Sequence, residues 1–381
     1  MEDINRVVLD KLYRSLLEED YIEVIYGPRQ SGKTTLLNLL KDKLKSSVLM
    51  LNGDNAIAQR TLSSRDPVAI RNYLGENKYV FIDEAQRVED IGINLKIIKD
   101  QMPDLKIVTT GSSSFELAEK INEPLTGRKR VFMLYPLWVS EIVAWQDNAF
   151  LEDNLENLLR FGSYPKVVNL KSENEKVRYL QEVVEASLYK DILELADVKN
   201  PRILKEVLAL LAFQIGNEVS YNELANALGV SIEMVKRYLD LLEKAFIIVR
   251  IGGFSRNLRK EITANSRYYF VDLGVRNTLI RNYNGLSLRN DVEMLWENFL
   301  VMERLKKQLY TDIYANNYFW RTHDKKEVDW VEEREGKLFG FEFKWSVGKA
   351  KKAKAPKEFV ETYKGVSFEG ISQHNYLGFV I

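Results

Sequence analysis

The sequence predicts an α/β protein that opens with a parallel, helix-covered sheet and closes with a second α/β region. Three observations predict it. Apolar runs of strand length alternate with helical stretches through residues 1–150, as in a sheet buried on both faces. That alternation then gives way to long helical periodicity. From residue 202 onward, short helices and strands return in a different order. The expected domains are 1–150 (parallel α/β), 151–201 (helical lid or linker), 202–285 (two short helices with flanking strands) and 286–381 (a second α/β domain).

The elements follow in order. Residues 4–18 predict an amphipathic helix with Val7, Val8, Leu12, Leu16 and Leu17 on its apolar stripe. "YIEVIYG" is a strand, "KTTLLNLLKDKL" a helix and "SVLML" a strand, followed by a helix near 66–75. "KYVFID", "INLKIIKDQM" and "KIVTTG" continue as strand, helix, strand, and "RVFMLYPL" is the last apolar run. "NLENLLRFG" and "VRYLQEVVEASLYKDILEL" carry the helical periodicity of the middle.

Composition narrows the classes. Lys+Arg and Asp+Glu are both 55 in 381 residues, so any surface for nucleic acid must be local rather than global. The chain has no cysteine, which excludes disulfides, thiol nucleophiles and cysteine metal sites and fits a reducing cytoplasm. The opening residues are charged and amphipathic rather than signal-like. No apolar run reaches the roughly 18 residues of a membrane span, so no membrane role is expected.

"GPRQSGKT" completes the pattern G-x-x-x-x-G-K-[ST] between a strand and a helix. In the loop Gly27, Pro28, Arg29, Gln30, Ser31 and Gly32, the glycines let backbone N–H groups curl around phosphate, and the helix that includes Thr35 adds its positive end. Lys33 is expected to reach the β and γ phosphates, and Thr34 to hold Mg²⁺ through its hydroxyl. ATP and Mg²⁺ are the expected cofactors. In "YVFIDEAQ", Asp83 ends a buried strand beside the metal, and Glu84 stands where a general base deprotonates water. In "IVTTGSSSFEL", Ser112 is the preferred γ-phosphate sensor, with Thr110 and Ser113 beside it; a polar turn fits the same residues. Arg128, in "GRKR", suits a charge-stabilising arginine acting in its own subunit or a neighbour's, and equally a basic loop facing DNA.

"YGPRQSGKTTLL", "FIDEAQRV", "TGSSSFEL" and "LTGRKRVFMLYPL…SE" together resemble a large prokaryotic family of AAA-type ATPases. In that family a P-loop domain precedes a C-terminal region long catalogued as of unknown function. The resemblance covers most of the chain. It implies an ATPase core that uses ATP with Mg²⁺, and it makes a homo-oligomer the expectation.

"SYNELANALGVSIEMVKRYLDLLEKAFIIVRI" has a helix-turn-helix cadence. Leu224, Ala225 and Leu228 face inward, Gly229 breaks the helix, Ser231 caps the next, and Val235, Leu239 and Leu242 face inward again. "FIIVRI" and "SRYYFVD" read as wing strands of a winged helix. Lys236, Arg237, Arg256, Arg259, Lys260 and Arg267 are the expected phosphate contacts. A rigid spacer or protein-docking module fits as well, and Glu233 and Asp240 weigh against a major-groove role.

In the tail, "EVDWVEEREGKLFGFEFKW" predicts a hairpin that brings Asp329 beside Glu342 and Lys344 on one face. Two carboxylates on one face repel unless a cation intervenes. With Glu297 on the preceding helix, Asp-x₁₂-Glu-x-Lys resembles the PD-(D/E)XK nuclease core. That resemblance implies one or two Mg²⁺ ions held by the carboxylates, with Lys344 stabilising charge. A half-exposed strand gives the same alternation. The lysines of 349–357 suit phosphate if they share a helix face, or solvent if they do not; His323 and His374 form no evident metal pair. The function expected is a Mg²⁺-dependent ATPase acting on or gated by DNA, with a nuclease-like tail that binds and cleaves DNA or only binds it. The alternative is a nucleotide-dependent switch whose later domains bind a protein partner.

Overall fold

Parallel strands need helical crossovers, and the alternating apolar runs supply both. The computed structural model describes residues 4–111, 124–186, 200–255, 265–322, 324 and 326–381. They form two compact units, one built on the chain up to Leu137 and one from Trp138 onward, apart from short later segments that join the first.

The first unit holds β1 (Ile22–Tyr26), β2 (Val48–Asn52), β3 (Tyr79–Asp83), β4 (Lys106–Gly111) and β5 (Lys129–Met133). Their order is β2-β3-β4-β1-β5, every pair parallel. Helices Lys33–Leu44, Ala56–Leu62, Pro67–Leu74 and Ile91–Gln101 lie between consecutive strands. β1 and β3 are buried along their whole length, which is why they read as continuous apolar runs rather than as alternation. Val24, Val80, Ile82, Leu95 and Ile107 belong to one core with Leu62 and Leu74. The lead-in helix runs Val7–Glu18, and the buried stripe is Val8, Leu9, Leu12, Ser15 and Leu16. Leu17, expected inside, is 44% exposed, because it lies about 100° around the helix from Leu16.

The second unit begins with helices Val139–Trp145, Asn148–Phe161, Pro165–Asn169, Glu173–Ala186 and Pro201–Phe213. It continues with β6 (Glu218–Val219), helices Tyr221–Leu228 and Ile232–Lys244, β7 (Ile248–Gly253) and β8 (Ser266–Phe270). Gly229 caps the first of these two helices at φ 64°, and Ser231 Oγ accepts the Met234 N–H at 3.2 Å, as the turn chemistry predicts. Leu224, Ala225, Val235, Leu239 and Leu242 are buried, and Leu228 is half-buried. After helices Leu273–Leu279 and Val292–Tyr310 come β9 (Asn316–Arg321), β10 (Glu327–Arg334), β11 (Lys337–Phe343) and β12 (Ser367–Ile371).

The division expected at residue 285 is not a division of the sheet. A single seven-stranded sheet runs β12-β11-β10-β9-β7-β8-β6. β7 pairs with β9 in parallel, Gly252 opposite Tyr318 and Gly253 opposite Phe319. An exposed strand edge carries unpaired N–H and C=O groups, and β9 pairs with those at the end of β7. For the lysines of 349–357 the structure selects the second of the two expected arrangements. Helix Val347–Ala350 is four residues long and the next begins at Lys357, so they share no helix face. Among the described residues no helix is long and apolar enough to cross a membrane.

Candidate functional site

The phosphate-loop motif lies at the carboxyl end of β1, the edge where open α/β sheets bind ligands. Gly32 has φ 98° and Gln30 φ 60°, so the loop curls before helix Lys33–Leu44 begins. Gly27 has no substitute here, since a Cβ would stand 2.2 Å from the Leu134 carbonyl oxygen. Lys33 is buried, and its Nζ donates to the carbonyls of Gly27 and Pro28, both at 2.9 Å. Arg6, which belongs to no motif in the sequence, braces the loop. Its Nη1 donates to the Ser31 carbonyl at 2.8 Å and its Nη2 to the Tyr135 carbonyl at 2.6 Å. No local pattern signals this, because the partners are 25 and 129 residues away.

Asp83, at the carboxyl end of β3, joins the loop to β4. Its Oδ2 accepts the Thr34 hydroxyl at 2.7 Å, and its Oδ1 accepts the Thr110 hydroxyl. Thr110 Oγ1 in turn accepts the Glu84 N–H at 3.1 Å. Glu84 sits at φ 52°, a left-handed conformation costly for a glutamate. Its Oε2 accepts Gln86 Nε2 at 2.5 Å. Gly53 allows this turn, since a Cβ there would meet the Glu84 carbonyl oxygen at 2.2 Å. Ser112 and Ser113 lie outside the described residues; Thr110 is the member of that trio seen on Asp83.

A hydroxyl and a carboxylate 2.7 Å apart beside a phosphate loop fit Mg²⁺, which takes one or two carboxylates and completes its shell with phosphate and water. Among the described residues no three His, Asp or Glu side chains form a metal-holding group, and a P-loop Mg²⁺ site does not need one.

Arg128 requires a correction. It precedes β5, and its carbonyl accepts the Ile22 N–H at the opening of β1. The loop lies at the other end of β1, about 13 Å along the strand at ~3.3 Å per residue. Arg128 Nε pairs instead with Asp100 at 3.1 Å. The expected role within its own subunit does not fit this position.

In the second unit the fold does bring Glu297, Asp329, Glu342 and Lys344 together. The β10–β11 register pairs Trp330 with Phe341, which sets Asp329 across from Glu342. Asp329 Oδ2 accepts the Phe343 N–H at 2.8 Å. Lys344 Nζ lies 2.6 Å from Glu342 Oε1 and 3.8 Å from Asp329 Oδ2. Glu297 Oε1 accepts Tyr269 OH at 2.7 Å and Arg267 Nη1 at 3.1 Å. Burial, then the neighbouring Glu297 and Glu342, push the Asp329 carboxyl well above its usual range. Burial likewise raises Glu297. Burial works against the Lys344 ammonium, but Asp329 and Glu342 outweigh it and raise its pKa.

Arg267 was expected on the wing, facing phosphate; it is 3% exposed and sits inside this cluster. Arg256, Arg259, Lys260 and His323 lie outside the described residues. A guanidinium already between the carboxylates does not fit the metal implied by the nuclease resemblance.

Residues 19–143 match the AAA domain family. Residues 152–286 and 292–375 match two domains of unknown function, DUF8612 and DUF4143. An uncharacterized protein of Mycobacterium tuberculosis is 26% identical over 335 residues, 87% of this chain and 72% of that one. One of Haemophilus influenzae is 27% identical over 333 residues, 82% of this chain and 80% of that one. The Walker-type ATPase PABY2304 of Pyrococcus abyssi has the same fold, with TM-score 0.50 at 17% identity over 73% of this chain and 96% of that one. The matched domain, the parallel sheet and the loop geometry together make the first unit an AAA-type P-loop ATPase domain.

Proposed function

We propose that this protein hydrolyses ATP with Mg²⁺ and that DNA governs the turnover. The observation that carries the first part is Asp83 held between Thr34 and Thr110, with Glu84 on the same hydroxyl. Thr34 and Asp83 would hold the ion, which supplies charge neutralisation at the phosphates. Lys33 leaves its loop carbonyls to meet the β and γ phosphates. Glu84 takes the proton of the attacking water, and Thr110 couples the state of the γ-phosphate side to Asp83.

Support for DNA comes from helix Ile232–Lys244, the second of a helix-turn-helix pair, where Lys236 and Arg237 are exposed. β7 and β8 follow it in the chain, the order of elements in a winged helix, while both are inner strands of the seven-stranded sheet. Arg128, on the face away from its own phosphate loop, is assigned to a neighbouring subunit's nucleotide in a homo-oligomer. The test is steady-state ATP hydrolysis with single-stranded, duplex and branched DNA at two salt concentrations. Stimulation by one form that fades with salt is expected, because phosphate contacts release counterions. Flat turnover across all forms removes DNA from the proposal and leaves a nucleotide-dependent switch for a protein partner.

A further inference from the structure

We infer that Arg267 is a built-in cation that takes the metal's place between Glu297 and Asp329, so that this nuclease-like site is closed to divalent ions. This inference concerns the second unit alone and stands apart from the ATPase reading.

Three facts carry it. Arg267 Nη1 lies between two of the carboxylates, 3.1 Å from Glu297 Oε1 and 3.9 Å from Asp329 Oδ1. Its Nη2 donates to Glu327 Oε2 at 2.8 Å. Lys344 Nζ stands in the other gap, between Asp329 and Glu342. Each of these two gaps between acidic oxygens therefore holds a cationic nitrogen. Mg²⁺ needs oxygens at about 2.0–2.1 Å in a near-octahedral shell, which those nitrogens prevent.

Secondly, Arg267 has nowhere else to go. It lies on β8, between β7 and β6, opposite Ile251 on one side and Glu218 on the other. Its guanidinium stacks over the Phe319 ring at 4.6 Å. Tyr269, two residues along β8 and so on the same face, anchors Glu297 from the same strand.

Thirdly, the charge is permanent. A guanidinium does not lose its proton in proteins, so the cluster has no protonation state in which the place opens. The groups facing it are Glu297, Glu327, Asp329 and Tyr269. The other cations nearby are Arg321, with Nε 3.9 Å from Glu327, and Lys344, which pairs with Glu342. The consequence is a tail that keeps the constellation as an ionic joint between β8, helix Val292–Tyr310 and β10–β11, and does not cleave through a metal.

The test is Mn²⁺ titration of the nucleotide-free full chain, read by electron paramagnetic resonance and by the thermal midpoint. Wild type and Asp329→Asn should bind Mn²⁺ identically, and Mn²⁺ should leave the wild-type midpoint in place. Arg267→Met, which removes the guanidinium but keeps an unbranched stem, should gain a Mn²⁺ site and a midpoint that rises with Mn²⁺. Adding Asp329→Asn should abolish both gains. A wild-type Mn²⁺ site that disappears in Asp329→Asn overturns the inference, as does folded Arg267→Met that gains none. Should Arg267→Met fail to fold, the comparison of wild type with Asp329→Asn decides by itself.

Discussion

Glu84 and Lys33 differ in what their removal should do. Glu84→Gln keeps the shape and the Gln86 contact but loses the base, so ATP should bind while turnover falls by about 10²–10⁴-fold. Lys33→Ala removes the phosphate contact and should abolish binding. Nucleotide binding measured beside turnover separates the two, and normal turnover in Glu84→Gln ends the base assignment. Glu23, on β1, is a second residue-scale case. It is fully buried, its Oε1 accepts Ser15 Oγ at 2.7 Å, and burial raises its pKa to about 7. Ser15, Arg130 and Lys106 favour its charged form and Glu19 opposes it. The folded state therefore holds a proton that the unfolded state has released. Stability should fall as pH rises from about 4.5 to 7 and level off above, by up to on the order of 3 kcal/mol. Urea unfolding at pH 5 and pH 8 checks this; a slope that survives in Glu23→Gln assigns the effect elsewhere.

At the scale of elements, turns and edges decide what strands can do. The β10–β11 hairpin turns through Glu335 and Gly336, with φ 52° and 71°. Two consecutive left-handed residues match the right-handed twist of the strands they join. A Cβ at Gly336 would meet nothing within 4 Å, so Gly336→Ala carries backbone strain alone. It should cost about 1–2 kcal/mol, measured by urea denaturation. The hairpin matters because its register sets Asp329 across from Glu342, and a one-residue slip turns one carboxylate to the opposite face. This much was legible in "EREGK" and the alternation around it. The join of β7 to β9 was not, because parallel pairing between distant strands leaves no local pattern.

For the molecule as a whole, two units with separate cores imply two responses to nucleotide. ATP with Mg²⁺ should stabilise the first unit by about 2.7 kcal/mol at a hundredfold excess over Kd and leave the second unit's own transition in place. Calorimetry with and without ATP reads this, and Lys33→Ala should erase the shift. A shift that persists in Lys33→Ala locates the nucleotide elsewhere.

The sequence by itself determined what depends on near neighbours: the phosphate loop, the acidic end of β3, the helix caps and the hairpin. Their causes are steric and periodic, acting over a few residues, so they are written in composition and spacing. Tertiary structure alone decided which charges meet. Arg6 reaches Ser31 and Tyr135, Arg128 is carried to the far end of β1, and Arg267 turns from wing to acidic cluster. A long charged side chain looks the same in sequence whether it faces solvent, phosphate or a buried carboxylate. Its partner is fixed by strand order, which sets residues tens of positions apart side by side and buries them where the charge must be answered.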